Sequence, residues 1–236
     1  MARHLVLFAR EPAREARDKG LGCAEAAELF AAFAAGWAEA ARRAGARLVV
    51  ATPPEDRRAW ARRFERAPIW LGQRGPTFGS RLERAARDAA RLPGRAILVG
   101  GDVVPDPARL LEAFEALEAG ADAAIVPAPD GGVSLIGLAE EDLDLLGNLS
   151  PRRADVCSSL CSALARRGRR IRVLERTADV DGRRALRALS REAPGWTALA
   201  RRILRHAAAR PRYPRRPCFH RPDRTLPILR APPLAA

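Results

Sequence analysis

The chain has 236 residues, 47% of them hydrophobic, which is enough for one domain with a substantial core. Lys and Arg number 42 against 28 Asp and Glu, giving a formal net charge of +14. The sequence has no run of about 18 uncharged apolar residues and no signal-peptide pattern near Met1, so we expect neither a membrane-embedded segment nor a membrane partner. These features exclude a membrane transporter or channel as the expected class.

The cysteines are few for a chain of this length. They are Cys23, Cys157, Cys161 and Cys218. The spacing between Cys157 and Cys161 is one helical turn, which favours a buried helix face over a metal clip. A chain without a disulfide framework is typical of a reducing compartment, so we expect a cytoplasmic protein.

The positive charge is unevenly distributed along the chain. A net charge of this size would ordinarily indicate nucleic acid or an anionic membrane as a partner. Much of the excess lies between Arg201 and Arg230, where base-stacking aromatic residues are limited to Tyr213 and Phe219. We therefore do not expect nucleic acid binding. Proline and arginine dominate 210–236, which predicts a poorly ordered tail after a single domain at 1–209.

In chain order, apolar runs predict strands that alternate with amphipathic helices. The predicted strands are 3–9, 46–52, 68–71, 96–100, 122–126, 133–138 and 171–175. The predicted helices are 23–45, 55–66, 78–91, 108–119, 154–167, 183–191 and 196–209. Segment 10–22, which is polar and contains Pro12 and two glycines, is predicted to be a loop.

The alternation of elements also predicts the architecture. Because the strands are almost continuously apolar rather than alternating, we expect a mainly parallel sheet with helices on both faces, a three-layer α/β/α sandwich. In such a sheet, functional residues lie at the carboxyl ends of the strands.

Three acidic residues fall near predicted strand ends: Asp102, Asp130 and Asp181. Carboxylates gathered in one cleft suit Mg²⁺ or Mn²⁺, which takes oxygen ligands and bridges them to phosphate. Each residue also has a purely structural alternative. Asp102 could cap the helix that begins near Pro107, Asp130 could be a turn aspartate before two glycines, and Asp181 could cap the following helix.

Basic residues follow the first strand at Arg10, Arg14, Arg17 and Lys19. Backbone amides and basic side chains in this position could hold phosphate groups, although a solvated basic loop would have the same composition. Lys19 is the only lysine of the chain. No histidine is paired with a serine or cysteine in a triad-like pattern, so none is assigned to catalysis.

Five segments together resemble a bacterial family of GT-A-like proteins to which glycosyltransferase activity is assigned. They are the strand Leu5 to Ala9 with Arg10 and Pro12, the run from Gln73 to Arg81, Val99 to Asp102, Asp130-Gly131-Gly132 with Leu135 to Leu138, and Asp179-Val180-Asp181. The resemblance implies the nucleotide-diphospho-sugar transferase fold, shared with molybdenum-cofactor nucleotidyltransferases and phospholactate guanylyltransferases.

The same resemblance implies roles for particular residues. Asp102 and Asp181 would be metal ligands, and Asp130 would be the catalytic residue beside the acceptor. Arg10, Arg17, Lys19, Gln73 and Arg81 would bind the nucleotide or its phosphates. The chain departs from the family where a Lys-Thr-Arg-Leu run is usual, since its own sequence there is Asp18-Lys19-Gly20-Leu21.

The function expected from these residues is a metal-dependent glycosyltransferase that uses a nucleotide-activated sugar and a small-molecule acceptor. One alternative is a nucleotidyltransferase that releases pyrophosphate from a nucleoside triphosphate. A second alternative is a degenerate protein that binds a nucleotide or a partner without catalysis, because the phosphate segment is altered.

Overall fold

In the computed structural model, which describes residues 1–61, 63–64, 66–150 and 154–209, one sheet lies between helices on both faces. Its seven strands are β1 Arg3–Phe8, β2 Ala46–Thr52, β3 Ile69–Gly72, β4 Arg95–Gly100, β5 Ala123–Pro127, β6 Val133–Leu138 and β7 Ile171–Val173. The α-helices are α1 Pro12–Asp18, α2 Ala24–Arg43, α3 Arg57–Trp60, α4 Phe78–Ala90, α5 Pro107–Glu118, α6 Val156–Arg166, α7 Arg183–Glu192 and α8 Thr197–Ala209. The predicted tail 210–236 lies outside the described residues.

The strands run in the order β3-β2-β1-β4-β6-β5-β7. All neighbouring pairs are parallel except those made by β6, which is antiparallel to β4 and β5. The mainly parallel α/β fold is therefore confirmed. The tight connection between β5 and β6 explains the exception, because a short turn can join only antiparallel neighbours.

The sheet is buried on both faces. On one face, Trp37 of α2 and Phe114 of α5 pack with Leu5 and Leu7 of β1. On the other face, Leu82 of α4 and Leu160 of α6 pack with strand residues that include Val6. Cys157 and Cys161 of α6 lie against this second cluster, as their one-turn spacing predicts.

A third apolar cluster lies beside the sheet, where α1 and α2 meet α7 and α8. It contains Ala16 and Leu21 from the N-terminal part of the chain and Leu186 and Ile203 from the C-terminal helices. These contacts hold α1 over the carboxyl ends of the strands.

The prediction that 10–22 is a loop is wrong for Pro12–Asp18, which form α1. Proline is favoured at the first position of a helix, and the Glu11 carboxylate accepts the backbone N–H of Arg14. The predicted helix 55–66 is also too long within the described residues, because only Pro54–Asp56 and Arg57–Trp60 are helical there. A 3₁₀ helix at Glu140–Asn148 was not predicted. Within the described residues, no helix is long and apolar enough to cross a membrane.

Candidate functional site

A cavity of about 1000 Å³ opens at the carboxyl ends of β1 and β4, beside the start of β6. Among the residues that the structure describes, seven carboxylates and four basic side chains line this cavity. The acids are Glu15, Asp18, Glu55, Asp102, Asp130, Asp179 and Asp181, and the bases are Arg10, Arg14, Lys19 and Arg81. The cavity is therefore acidic, although the whole chain carries a net charge of +14.

Lys19 lies at the centre of the acidic residues. Its ammonium group contacts Asp102 and Asp181, and a Glu15 oxygen is 3.8 Å away. Burial opposes the charge of this amine, but the two aspartates outweigh it and raise the pKa of Lys19 above its ordinary value. Lys19 therefore stays charged and neutralises part of the cluster.

Three carboxylates, those of Asp130, Asp179 and Asp181, each place an oxygen within 4.8 Å of the others. The segment containing Asp179 and Asp181 is held against the β4 end by backbone bonds. Asp179 pairs with Val103 in an antiparallel bridge, and the Val180 N–H donates to the Asp102 carbonyl at 2.9 Å. Residues from three separate parts of the chain therefore meet at one point.

Asp179 is the most perturbed member of this group. Burial, together with the nearby charges of Asp102, Asp181 and Asp130, raises the pKa of Asp179 to about 7. Lys19 acts in the opposite direction on the pKa of Asp179 but does not offset burial and the three neighbouring carboxylates.

Asp130 is held by the turn that joins β5 to β6. Its Oδ1 accepts the Gly132 N–H at 2.9 Å, so the turn-aspartate alternative describes part of its role. Gly131 has a φ of +91°, and a Cβ there would lie 2.0 Å from the Ala154 carbonyl oxygen. Only glycine fits this position, where the turn passes the residues that precede α6.

The capping alternatives for the other two aspartates do not hold. The N-cap of α5 is Asp106, whose carboxylate accepts the Arg109 N–H at 3.1 Å, and not Asp102. The N-cap of α7 is Gly182, with no side-chain cap bond from Asp181. Asp102 and Asp181 instead contact Lys19.

The three arginines predicted to bind phosphate differ from one another in their contacts. Arg10 contacts Glu15 at 3.1 Å and Asp18 at 2.5 Å, and Arg81 lines the cavity and donates to the Gly75 carbonyl at 3.4 Å. Arg17 is not part of the cavity lining, and its nearest acidic partner is Glu11 at 3.7 Å.

Gln73 also lines the cavity, but its amide nitrogen is used inside the fold. It donates to the carbonyls of Ala9 and Ala51 at 3.3 and 2.9 Å. These bonds join the ends of β1 and β2. Gln73 can therefore offer a ligand only its amide oxygen without breaking them.

Four acidic residues that line the cavity were not singled out from the sequence: Glu15, Asp18, Glu55 and Asp179. Asp179 is the first acid of the Asp-Val-Asp motif, and in an extended segment residues two apart lie on the same side. The motif alone could therefore have placed it beside Asp181. Glu15 was not singled out because a predicted loop gives no reason to bury an acid, whereas in α1 it is 6% exposed.

The donor set fits a small divalent cation. Mg²⁺ and Mn²⁺ prefer carboxylate oxygens, and oxygens that share such an ion at about 2.1 Å are separated by about 3 to 4.2 Å. The oxygens of Asp130, Asp179 and Asp181, within 4.8 Å of one another, need only a small side-chain movement to reach that spacing.

Comparison with known proteins supports the fold. The profile of a family described as an uncharacterized protein conserved in bacteria (DUF2064) matches residues 37–150. No curated protein matches the chain. A provisionally named nucleotide-diphospho-sugar transferase from Desulfovibrio desulfuricans G20 is similar in structure, with a TM-score of 0.73 and 24% identity over 89% of this chain and 96% of the other.

Two further solved structures share the fold at lower similarity. An inositol-1-phosphate CTP transferase from T. maritima has a TM-score of 0.55 and 10% identity, covering 86% of this chain and 96% of the other. A nucleotidyl transferase from Methanothermobacter has a TM-score of 0.52 and 16% identity, covering 87% and 99%. The chain therefore shares the fold of these nucleotide-diphospho-sugar transferase and nucleotidyltransferase structures.

Proposed function

We propose that this protein is a divalent-metal-dependent glycosyltransferase that uses a nucleotide-activated sugar. The observation that carries the proposal is the convergence of Asp130, Asp179 and Asp181 in an acidic cavity of an otherwise basic chain. A cavity rich in carboxylates repels a nucleotide diphosphate unless a cation lies between them. A bound Mg²⁺ or Mn²⁺ would supply that charge and stabilise the diphosphate as it leaves.

The carboxylates have separate roles in this proposal. Asp130, Asp179 and Asp181 would hold the cation, while Asp102 would keep Lys19 at the edge of the diphosphate site. The Lys19 ammonium group has three hydrogens, so it can contact both carboxylates and still donate to a phosphate oxygen. Arg81 lines the same cavity and would contact the same substrate.

The transfer itself exchanges one bond for another. An acceptor hydroxyl oxygen attacks the anomeric carbon of the sugar, and the bond from that carbon to the diphosphate breaks, so the diphosphate leaves with the electron pair. Asp130 would take the acceptor proton on Oδ2, while Oδ1, which accepts the Gly132 N–H, has a second lone pair for the cation. Proton transfer to a positioned carboxylate contributes about 10²- to 10⁴-fold to such rates.

Nucleotidyl transfer is the second candidate, and the fold shared with the CTP transferase from T. maritima supports it. The residues after β1 favour glycosyl transfer over nucleotidyl transfer. A triphosphate needs a cradle of backbone amides and free cations. Here the Glu11 carboxylate already accepts the Arg14 N–H at the N-terminus of α1, and Arg10 is paired with Glu15 and Asp18.

The first experiment is thermal unfolding with and without Mn²⁺ across nucleoside diphosphates, nucleoside triphosphates and nucleotide sugars. A ligand that binds only the folded state raises stability with the logarithm of its excess over Kd. We expect a Mn²⁺-dependent rise with one class of nucleotide diphosphate or nucleotide sugar. Pyrophosphate release with a triphosphate would support nucleotidyl transfer instead, and no rise with any compound would support the non-catalytic binding protein.

The matched variants are Asp181→Asn and Asp144→Asn, whose side chains are 49% and 47% exposed in the native protein. Asp181→Asn should lose the Mn²⁺-dependent rise, because it removes one carboxylate of the cluster. Asp144 lies outside the cavity, so Asp144→Asn should keep the Mn²⁺-dependent rise. Equal Mn²⁺ responses in the two variants would contradict the assignment of the cation site.

A further inference from the structure

The cavity has a second region whose chemistry differs from that of the acidic cluster. We call it the apolar wall, and it consists of Phe8, Phe78, Val133, Ile136, Leu149 and Val156. The rings of Phe8 and Phe78 meet edge to face, with centroids 5.7 Å apart. Except for Ile136, which is 6% exposed, each of these side chains is only half-buried, so part of its apolar surface faces the cavity.

Three hydrogen-bond donors beside this wall already have partners inside the fold. The Ser134 hydroxyl is 2% exposed and donates to the Thr177 carbonyl at 2.7 Å. The Gly132 N–H donates to Asp130, and the Gln73 amide nitrogen donates to two backbone carbonyls. A substrate that lay against the wall would therefore meet hydrocarbon, with hydrogen-bonding groups only at its edges.

This arrangement discriminates between acceptor classes. A sugar carries a hydroxyl group on most of its ring carbons, and a hydroxyl taken from water without a partner costs free energy. An alcohol with a hydrocarbon or aromatic body presents one hydroxyl and gains from burial of the rest. The apolar wall thus favours the second class.

The wall is also placed correctly for an acceptor. Val133 begins β6 three residues after Asp130, and Val156 begins α6, whose Cys157 N–H donates to the Gly131 carbonyl at 3.0 Å. The part of the wall formed by Val133 and Val156 is therefore joined directly to the turn that carries Asp130. A hydroxyl at Asp130 can be continuous with a body that lies on the wall.

We propose that the acceptor is an alcohol with a hydrocarbon or aromatic body, bound on the apolar wall with its hydroxyl at Asp130. This inference rests on the proposed function. The acceptor oxygen forms the new bond to the anomeric carbon, the bond to the diphosphate breaks, and the acceptor proton passes to Asp130. The wall consequently selects the acceptor and not the donor.

The test uses 2-naphthylmethanol as the probe, with its binding to the full chain followed by fluorescence. The variants are the double variant Val133→Thr with Val156→Thr, which replaces two methyl groups on the wall by hydroxyls at nearly constant volume, and Val173→Thr on β7. Val173 is 49% exposed and lies outside the cavity, so Val173→Thr is the matched control. Thermal unfolding with Mn²⁺ and the nucleotide panel is measured on the same samples.

We expect saturable probe binding that weakens at least fivefold in the double variant and is unchanged in Val173→Thr, with the nucleotide response equal in all three proteins. Equal probe affinity in all three, or no saturable binding while the nucleotide response persists, would overturn the acceptor proposal and leave the transferase proposal standing. Probe binding that depends on the wall without any nucleotide response would overturn both, since an acceptor requires a donor.

Discussion

The ammonium group of Lys19 contacts the carboxylate of Asp102, although the two residues are 83 positions apart in the sequence. The same group contacts Asp181, so one side chain at the end of α1 joins the loop after β4 to the residues before α7. Lys19 is 16% exposed, and its ammonium group contacts both carboxylates directly. The stability of the site in the absence of a bound cation should therefore depend on this lysine.

Replacement of Lys19 by methionine keeps most of the side-chain volume and removes the charge. The carboxylates of Asp102 and Asp181 then lose their shared partner, and we expect the free energy of unfolding to fall by about 1–3 kcal/mol at pH 8. Mn²⁺ should restore more stability in Lys19→Met than in the native protein. Urea unfolding with and without Mn²⁺ measures both effects.

Arg17→Met is the control for this change. Arg17 is 63% exposed, and its contact with Glu11 at 3.7 Å is a surface pair worth little. The control should change stability by less than about 0.5 kcal/mol and leave the response to Mn²⁺ unchanged. A similar loss in both variants would show that Lys19 acts only through general charge.

Asp179 predicts how stability depends on pH. Burial and neighbouring carboxylates raise its pKa from 3.8 to about 7, so the folded protein holds a proton that the unfolded chain releases. This group therefore makes stability fall as the pH rises from about 4 to about 7. Since one pKa unit is worth about 1.4 kcal/mol and solvent screens a partly exposed group, the loss should be about 1–3 kcal/mol.

Asp179→Asn removes this titration. The free energy of unfolding of Asp179→Asn, minus that of the native protein, should be larger at pH 8 than at pH 5. The variant should also bind Mn²⁺ more weakly. Urea unfolding at the two pH values, without metal, checks the first expectation. A constant difference between the two proteins at both pH values would mean that Asp179 titrates normally.

The sequence allowed prediction of the strands, because β1 and β4 are runs of apolar residues buried on both faces. It also allowed prediction that Asp102, Asp130 and Asp181 would gather, because strand ends of a parallel sheet share one edge. It did not allow prediction of α1, because the buried Ala16 of this helix, like Leu21 after it, packs with residues of α2, α7 and α8. A contact with elements so distant in sequence leaves no local pattern.

The apolar wall could not be predicted for a similar reason. Its side chains come from β1, α4, β6, α6 and the residue after the 3₁₀ helix, and most have the hydrophobic character of ordinary core positions. Their sequence neighbours do not distinguish a side chain that faces a cavity from one that is fully covered. Only the folded arrangement shows which apolar atoms remain accessible.

Gly131 and Gly168 provide a test of the turn that holds Asp130. Both have positive φ, +91° and +70°, but a Cβ at Gly131 would lie 2.0 Å from the Ala154 carbonyl oxygen while Gly168 has nothing within 4 Å. Gly168→Ala should cost only backbone strain, about 1 kcal/mol. Gly131→Ala must also displace the backbone before α6, and we expect a loss of about 3 kcal/mol or more by urea unfolding. Equal losses would place the Ala154 segment further from the turn.

Asp142 anchors the 3₁₀ helix that carries Leu149 to the apolar wall. Its carboxylate is fully buried and contacts Arg167 at 3.1 Å and Arg169 at 2.7 Å, whereas Asp144 contacts Arg167 at 2.6 Å but is 47% exposed. Asp142→Ala removes hydrogen bonds to two charged groups and leaves a small cavity, so it should lower the free energy of unfolding by about 2–3 kcal/mol. Asp144→Ala removes a surface pair and should cost about 0–1 kcal/mol. Losses of equal size would show that water reaches Asp142 and screens it as it screens Asp144.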